Sequence, residues 1–316
     1  MTVRRSTAYL DRSTGELRRD VIYSSRFLPW AYGTQLGWWL TRMLFSLRWV
    51  SAFYGWLHRL PSSPRAIERF AASLDIDLEE VAPGQASFKS LNDLICRRID
   101  LQRRPVDQRS GVVVAPVDGR VSVHPCLEAH SHLTLKGMSF QLQRLVRDST
   151  LARRYEQGSA LVSRLYLNDY HHFHFPVDGV PRELRIIKGR YFATSPYAAD
   201  RFVPYLNENV RALTVIDTTK FGRVLMLEIG AFTVGSIEQD FRLDSAVTKG
   251  EHKGVFGLGG SVVVLLFEPG VVALDPDLCR NSARGLETYV RMGESVGAAR
   301  GQQWARYEDT TDLPAQ

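Results

Sequence analysis

A chain of 316 residues that is 44% hydrophobic and 23% charged has the composition of an ordinary globular protein, with length for one large domain or two smaller ones. Its net charge of +6 suits an anionic partner such as nucleic acid or an acidic membrane surface. Three cysteines without paired spacing, Cys96, Cys126 and Cys279, argue against a disulfide framework or a structural zinc site and favour a reducing compartment.

In chain order, residues 1–25 are polar and carry no secretory pattern. Residues 26–60 differ in kind. They hold five of the six tryptophans (Trp30, Trp38, Trp39, Trp49, Trp56) with Phe27, Tyr32, Phe45, Phe53 and Tyr54. No acid lies between Asp20 and Glu68, yet Arg26, Arg42, Arg48, Arg59 and Arg65 do. A spanning helix needs roughly 20 mostly apolar residues. The longest charge-free stretch here, 27–41, contains Pro29, Gly33, Gln35 and Gly37, so the segment is not expected to span. Aromatic bodies among arginines suit an interfacial helix, with rings at headgroup depth and cations on lipid phosphates. The plainer alternative is a helical cap packed on the protein's own core, and both can hold at once.

Residues 61–106 read as helical, broken at Pro61 to Pro64, with an amphipathic helix beginning over Ser87 to Leu94. The basic run Arg97, Arg98, Arg103 and Arg104 reads as a solvated face. From Val112 the period changes, and Val112–Pro116, Val117–Arg120 and Val121–Val123 read as strand, turn, strand. One helix is expected over 140–156, then strands over 160–167, 182–187, 212–217, 223–229 and 261–267. Before the last of these, Gly257-Leu258-Gly259-Gly260 forms a glycine-rich turn that delivers Ser261 to a buried, β-branched run. Taken alone, that is a tight turn whose serine bonds the backbone. Glu268-Pro269-Gly270 is a further turn, and the last dozen residues are polar.

The densest titratable cluster is Asp169-Tyr170-His171-His172-Phe173-His174. Histidine's ordinary pKa of ~6.5 suits proton transfer near neutrality. In an extended segment His172 and His174 share one face and His171 takes the other. Metal binding and acid–base work are both open, although no HExxH or Cys–His spacing supports a metal. Packing at a strand end accounts for one histidine but is strained for three. Pro-Val-Asp-Gly occurs twice, at 116–119 and 176–179, so either Asp118 or Asp178 could orient a histidine. An aspartate, a histidine strand and a serine after Gly-Gly are the parts of an activated nucleophile. The serine enters a strand rather than a Gly-x-Ser-x-Gly elbow, which disfavours the α/β-hydrolase fold.

Four motifs come in order: Pro116-Val117-Asp118-Gly119, Asp169 to His174, Val234-Gly235-Ser236-Ile237, and Lys249-Gly250-Glu251 leading through Phe256 to Ser261, followed by Phe267-Glu268-Pro269-Gly270. The ordered set resembles the phosphatidylserine decarboxylase proenzymes, self-cleaving pyruvoyl-dependent lyases, in the bacterial form with a double glycine before the serine. The resemblance implies that Asp118, His174 and Ser261 form the processing triad, that the cut falls between Gly260 and Ser261, and that His171 serves the decarboxylation step. Ser261 would become the pyruvoyl cofactor, and no metal is implied. It further implies an α+β protein: a helical, membrane-associating region over 1–106, a β-rich and mostly antiparallel core over 107–300, and a polar tail over 301–316. Chains 1–260 and 261–316 would pair as a heterodimer, converting phosphatidylserine to phosphatidylethanolamine and carbon dioxide. The expected site is the cytoplasmic side of the cell membrane, held peripherally at its anionic surface, with no nucleic-acid partner. Two departures stand out: Val262 where the family usually has Thr or Ser, and His252-Lys253 in place of an acidic-plus-apolar pair. The rival readings are a pyruvoyl decarboxylase of a soluble amino acid, a metal-dependent hydrolase built on the His171–His174 cluster, and a non-catalytic lipid-binding protein.

Overall fold

The computed structural model describes residues 8–20, 30–31, 33–44, 48–85, 87–127, 133–135, 138–192, 205–230, 237–259 and 261–301. Its centre is the strand Ser261–Phe267, buried at all seven positions. A run of branched and apolar side chains with no polar alternation fits a strand covered on both faces. A nine-stranded sheet surrounds it, in the order Leu17–Arg19, Ala8–Asp11, Glu287–Val290, Gly119–His124, Ser159–Leu165, Ser261–Phe267, Arg223–Gly230, Arg211–Asp217 and Val180–Ile187. Every pairing is antiparallel except that of Ala8–Asp11 with Glu287–Val290.

The strand's alternation divides the core. Val262, Val264 and Leu266 meet Leu145, Val146, Tyr155 and Phe192 on one face. Val263, Leu265 and Phe267 meet Phe173, Phe175 and Phe256 on the other. Burying each such side chain stabilises the fold by about 1.5–3 kcal/mol. By the same period Ser261 belongs to the Val263 face. Two three-stranded sheets cover that face: Ile237–Gln239, His252–Phe256 and His172–His174 in one, Val272–Leu274, Ser295–Ala299 and Val112–Val114 in the other.

The described N-terminal helices are Gln35–Leu44, Arg48–Arg59 and Pro64–Ser73. Pro64 occupies the first turn, where its missing N–H costs nothing, and Ser63 caps the end by accepting from the Ala66 amide at 3.3 Å. Ile67, Ala71 and Leu74 then pack with Leu94, Ile95 and Leu258. A helical layer therefore bears directly on the glycine turn. No helix among the described residues is long and apolar enough to cross a membrane.

Several sequence expectations change. The helix expected over 140–156 is two, Leu142–Val146 and Ser149–Tyr155. Arg147 between them adopts φ +52°, and Asp148 starts the second by accepting from the Thr150 and Leu151 amides at 3.0 and 2.9 Å. The strands Val112–Val114 and Gly119–His124 do not pair with each other but enter different sheets. Residues 61–106 form short helical pieces, the one after Ser90 spanning only Leu91–Ile95. The basic run is not a solvated face: Arg98 and Arg103 are exposed, but Arg97 and Arg104 are buried, because the chain turns inward at each to reach buried acceptors. Near the start, Ala8–Asp11 and Leu17–Arg19 form a hairpin added to the sheet edge. Residues 302–316, nearly all of the expected polar tail, lie outside the described residues.

Candidate active site

His172–His174 pairs with His252–Phe256, placing His172 opposite Val255, Phe173 opposite Gly254 and His174 opposite His252. The approach is close enough that a Cβ on Gly254 would lie 2.1 Å from the Glu238 carbonyl oxygen and 2.5 Å from Phe173 Cζ. The expected alternation is present. Phe173 enters the core, whereas His172 and His174 share a face with Tyr170 and His252, with ring centroids 5.0–5.8 Å apart.

His171 lies apart from them, against the glycine turn. Its Nε2 is 3.0 Å from the Gly259 carbonyl oxygen and its Nδ1 3.0 Å from that of Asp169. Gly259 has φ +155°, a conformation open mainly to glycine. Gly260 is outside the described residues, as are Val234 to Ser236 of the third motif. Ser261 is buried, opposite Leu165 on one side and Gly230 on the other. Full burial pushes the His171 pKa down to about 4, against the pull of the two carbonyls. The ring is neutral at pH 7 and can donate to only one of them.

His174 has a fixed tautomer. Its Nδ1–H donates to the Gly250 carbonyl at 2.9 Å, leaving Nε2 to accept from the Tyr170 hydroxyl at 3.2 Å. Burial holds this ring at about 4 as well, with Asp118 pulling the other way through space. Asp118 itself accepts from the Met292 amide at 2.7 Å and from Arg104 Nη2 at 2.8 Å, while Arg104 also grips Glu80. The histidine strand reaches this turn through the backbone, since the His174 amide donates to the Pro116 carbonyl at 2.9 Å. Asp178 is exposed, and its carboxylate accepts from the Lys249 amide at 2.8 Å. Of the two Pro-Val-Asp-Gly copies, only the first buries its aspartate beside the histidines. The structure thus brings His171 to the glycine turn and Asp118 to the His174 segment. His174 and Ser261 do not hydrogen-bond to each other here.

For several participants the sequence did not show the partners they have in the fold. Arg104 was one of a basic run, and Tyr170 lay inside a motif noted for its histidines. His252 sits 2.8 Å from His172 Nδ1 and 3.3 Å from Asp240, while His172 Nε2 reaches the Cys96 carbonyl at 3.0 Å. Lys253 is wholly buried, with Nζ 2.9 Å from Glu228, 2.6 Å from Gln239 and 4.7 Å from the centre of the Phe241 ring. Asp169 is clamped by Arg120 and the Tyr166 amide, and burial lifts its pKa to about 6. Such pairs depend on long-range register, which local sequence does not encode.

Comparison with known proteins gives a consistent result. The sequence profile of the family described as phosphatidylserine decarboxylase matches residues 91–298. The phosphatidylserine decarboxylase proenzyme of Chlamydia felis is 36% identical over 294 residues, 93% of this chain and 98% of its own length. The proenzyme of that name from Chlamydia caviae is 37% identical over 92% of this chain and 97% of its own, and that from Chlamydia trachomatis 38% over 93% and 97%.

Proposed function

The chain belongs to the phosphatidylserine decarboxylase family and is a carboxy-lyase; from that premise we propose that it matures by cutting itself between Gly260 and Ser261 and that Ser261 becomes its pyruvoyl group. The observation that carries this reading is the placement of Ser261. It heads the most buried strand of the sheet, directly after a glycine turn whose Gly259 carbonyl lies on a neutral imidazole. A keto group made from such a residue is held at the rigid end of a strand, paired to Leu165 and Gly230 and shielded from bulk water.

Cleavage begins when a base takes the Ser261 hydroxyl proton and Oγ attacks the carbonyl carbon of Gly260, moving the acyl group from nitrogen to oxygen. Loss of the Ser261 Cα proton then expels the Gly260 carboxylate, and hydrolysis of the resulting enamine releases ammonia. We assign the base to His174. Its tautomer makes Nε2 the basic nitrogen, burial keeps it neutral, and the nearby Asp118 charge favours the imidazolium formed. In the structure Nε2 holds the Tyr170 hydroxyl, so Tyr170 must move aside or pass the proton on. The pyruvoyl group supplies an electron sink for the pair released when the carboxylate leaves. His171, beside the turn and neutral, is assigned to proton handling in that step.

The phospholipid is expected to be met at an anionic membrane surface, on the cytoplasmic side, by the first two described helices. Leu36, Trp39, Met43, Phe53 and Trp56 are each more than half exposed, while Trp38 stacks on Phe192 of the core at 5.9 Å between ring centroids. One face is anchored and another is left apolar to the outside, as an interfacial helix requires. The product is then a heterodimer of chains 1–260 and 261–316. Denaturing electrophoresis of the purified protein should give two bands, and Ser261→Ala a single full-length one. A Ser261→Ala protein cut at the same bond would remove the serine from the mechanism.

A further inference from the structure

Among the described residues five arginines are wholly or almost wholly buried, and four are held by carboxylates or by a set of carbonyl oxygens. Arg104, Arg120 and Arg164 each pair with carboxylates. Arg211 has none, and the fold instead gives it three carbonyl oxygens, those of Leu145, Asn209 and Arg144, at 2.6–2.7 Å. Arg97 is the exception among the described residues. Only 3% of it is exposed, Nη2 donates to the Asn168 carbonyl at 2.6 Å, and Nε and Nη1 are buried with no hydrogen-bond partner and no carboxylate in ion-pair contact. Those two nitrogens present three N–H donors. The surrounding carboxylates are committed elsewhere: Asp118 and Glu80 to Arg104, Asp169 to Arg120. A buried, unpaired cation is among the costliest things a fold can hold, and an arginine left in this condition is waiting for an anion.

Its position is informative. Asn168 lies three residues before His171. The adjoining Cys96 accepts from His172 through its carbonyl and points its thiol at the Phe256 carbonyl, 3.5 Å away. Asn92, one turn earlier, accepts from the Leu258 amide at 3.0 Å. Arg97 is therefore built into the same cluster as His171 and the glycine turn. We propose that Arg97 binds the phosphodiester of the lipid substrate, an inference that rests on the decarboxylase reading above.

Phosphatidylserine offers two anions, and the chemistry separates them. Its carboxylate leaves as neutral carbon dioxide, so a cation held on it would stabilise the ground state more than the transition state and slow the reaction. The phosphodiester keeps its charge from substrate through product. A guanidinium matches its oxygens well, and binding there is uniform along the reaction.

Competition assays on the mature wild-type enzyme, acting on phosphatidylserine in mixed micelles, test this. Glycerophosphoethanolamine and inorganic phosphate should compete with substrate, and ethanolamine, which lacks the phosphate, should not. Arg97→Met should still cut itself into two chains, which reports that it folds. Its KM should rise roughly ten- to hundredfold with kcat little changed, and its inhibition by glycerophosphoethanolamine should be lost. Arg97→Lys should recover part of the affinity. Equal inhibition of the wild type by glycerophosphoethanolamine and ethanolamine overturns the proposal, as does a fall in kcat at unchanged KM in Arg97→Met. If neither variant matures, equal inhibition of the wild type by glycerophosphoethanolamine and ethanolamine still overturns the proposal. The parent reading fails differently, through a wild type that stays uncut or releases no carbon dioxide.

Discussion

His171 has a carbonyl oxygen at each ring nitrogen, and His174 has a carbonyl at one and a phenol at the other. The two rings, three positions apart, therefore face different partners, which is the physical basis for giving them different roles. His174→Ala should remain a single chain. His171→Ala should split normally and then release carbon dioxide on the order of 10²–10⁴ times more slowly, the usual cost of a lost general acid. The opposite pattern would reverse the assignments. Burial of the same cluster also makes stability depend on pH. His172 has an unfolded pKa of ~6.5, and desolvation lowers it to about 4 in the fold. Between those values the unfolded chain binds more protons, so stability is full above about 6.5 and falls as the pH drops toward 4. His171 and His174 act in the same direction; Asp169, raised to about 6, acts in the opposite one. His172→Phe should lessen the fall in melting temperature between pH 7 and pH 5 by on the order of 2–4 °C. At this scale the sequence named the histidines but not their neighbours. Local pattern left Asp118 and Asp178 equivalent; the family resemblance assigned Asp118, and in the fold Asp118 is buried while Asp178 is exposed. Local pattern also read Arg97 and Arg104 as solvent-facing because charge in a run says nothing about which members turn inward.

Strands were the legible elements. Those over 160–167, 182–187, 212–217, 223–229 and 261–267 are all present within a few residues, because β-branched runs bounded by turns mark buried strands without further context. The break at Arg147 was hidden, since apolar spacing continues across it and the left-handed residue is not a glycine. The hairpin at 8–19 was hidden too: a short edge strand such as Leu17–Arg19 is exposed throughout and shows no alternation. The pairing between His172–His174 and His252–Phe256 depends on Gly254, where an added methyl meets backbone oxygen and the Phe173 ring at once. Gly254→Ala should therefore destabilise by about 1–3 kcal/mol or more and accumulate as uncut precursor, as read by thermal melting and by the ratio of bands. A variant that melts and matures like wild type would mean the small sheet does not fix the histidines.

For the whole molecule, the α+β class and the absence of a spanning helix among the described residues agree with the sequence, while the covering of the sheet's second face by two small sheets was not foreseeable from local pattern. The apolar face of the N-terminal helices makes its own prediction. The protein should sediment with anionic vesicles, with salt weakening but not abolishing binding, since apolar burial survives screening. Trp39→Glu combined with Met43→Glu, at positions 64% and 65% exposed, should lower that binding roughly tenfold or more and leave self-cleavage intact. Unchanged sedimentation would assign the face to something other than lipid. The central claim is that Ser261 is consumed to make the cofactor, and an intact-mass spectrum of the purified protein tests it most directly. The account predicts two species, the smaller a 56-residue piece of about 6 kDa from the 35.8 kDa chain, with a blocked N-terminus and a mass lower by one ammonia than a serine-initiated fragment. A single full-length mass, or a small chain beginning with unmodified serine, would contradict it.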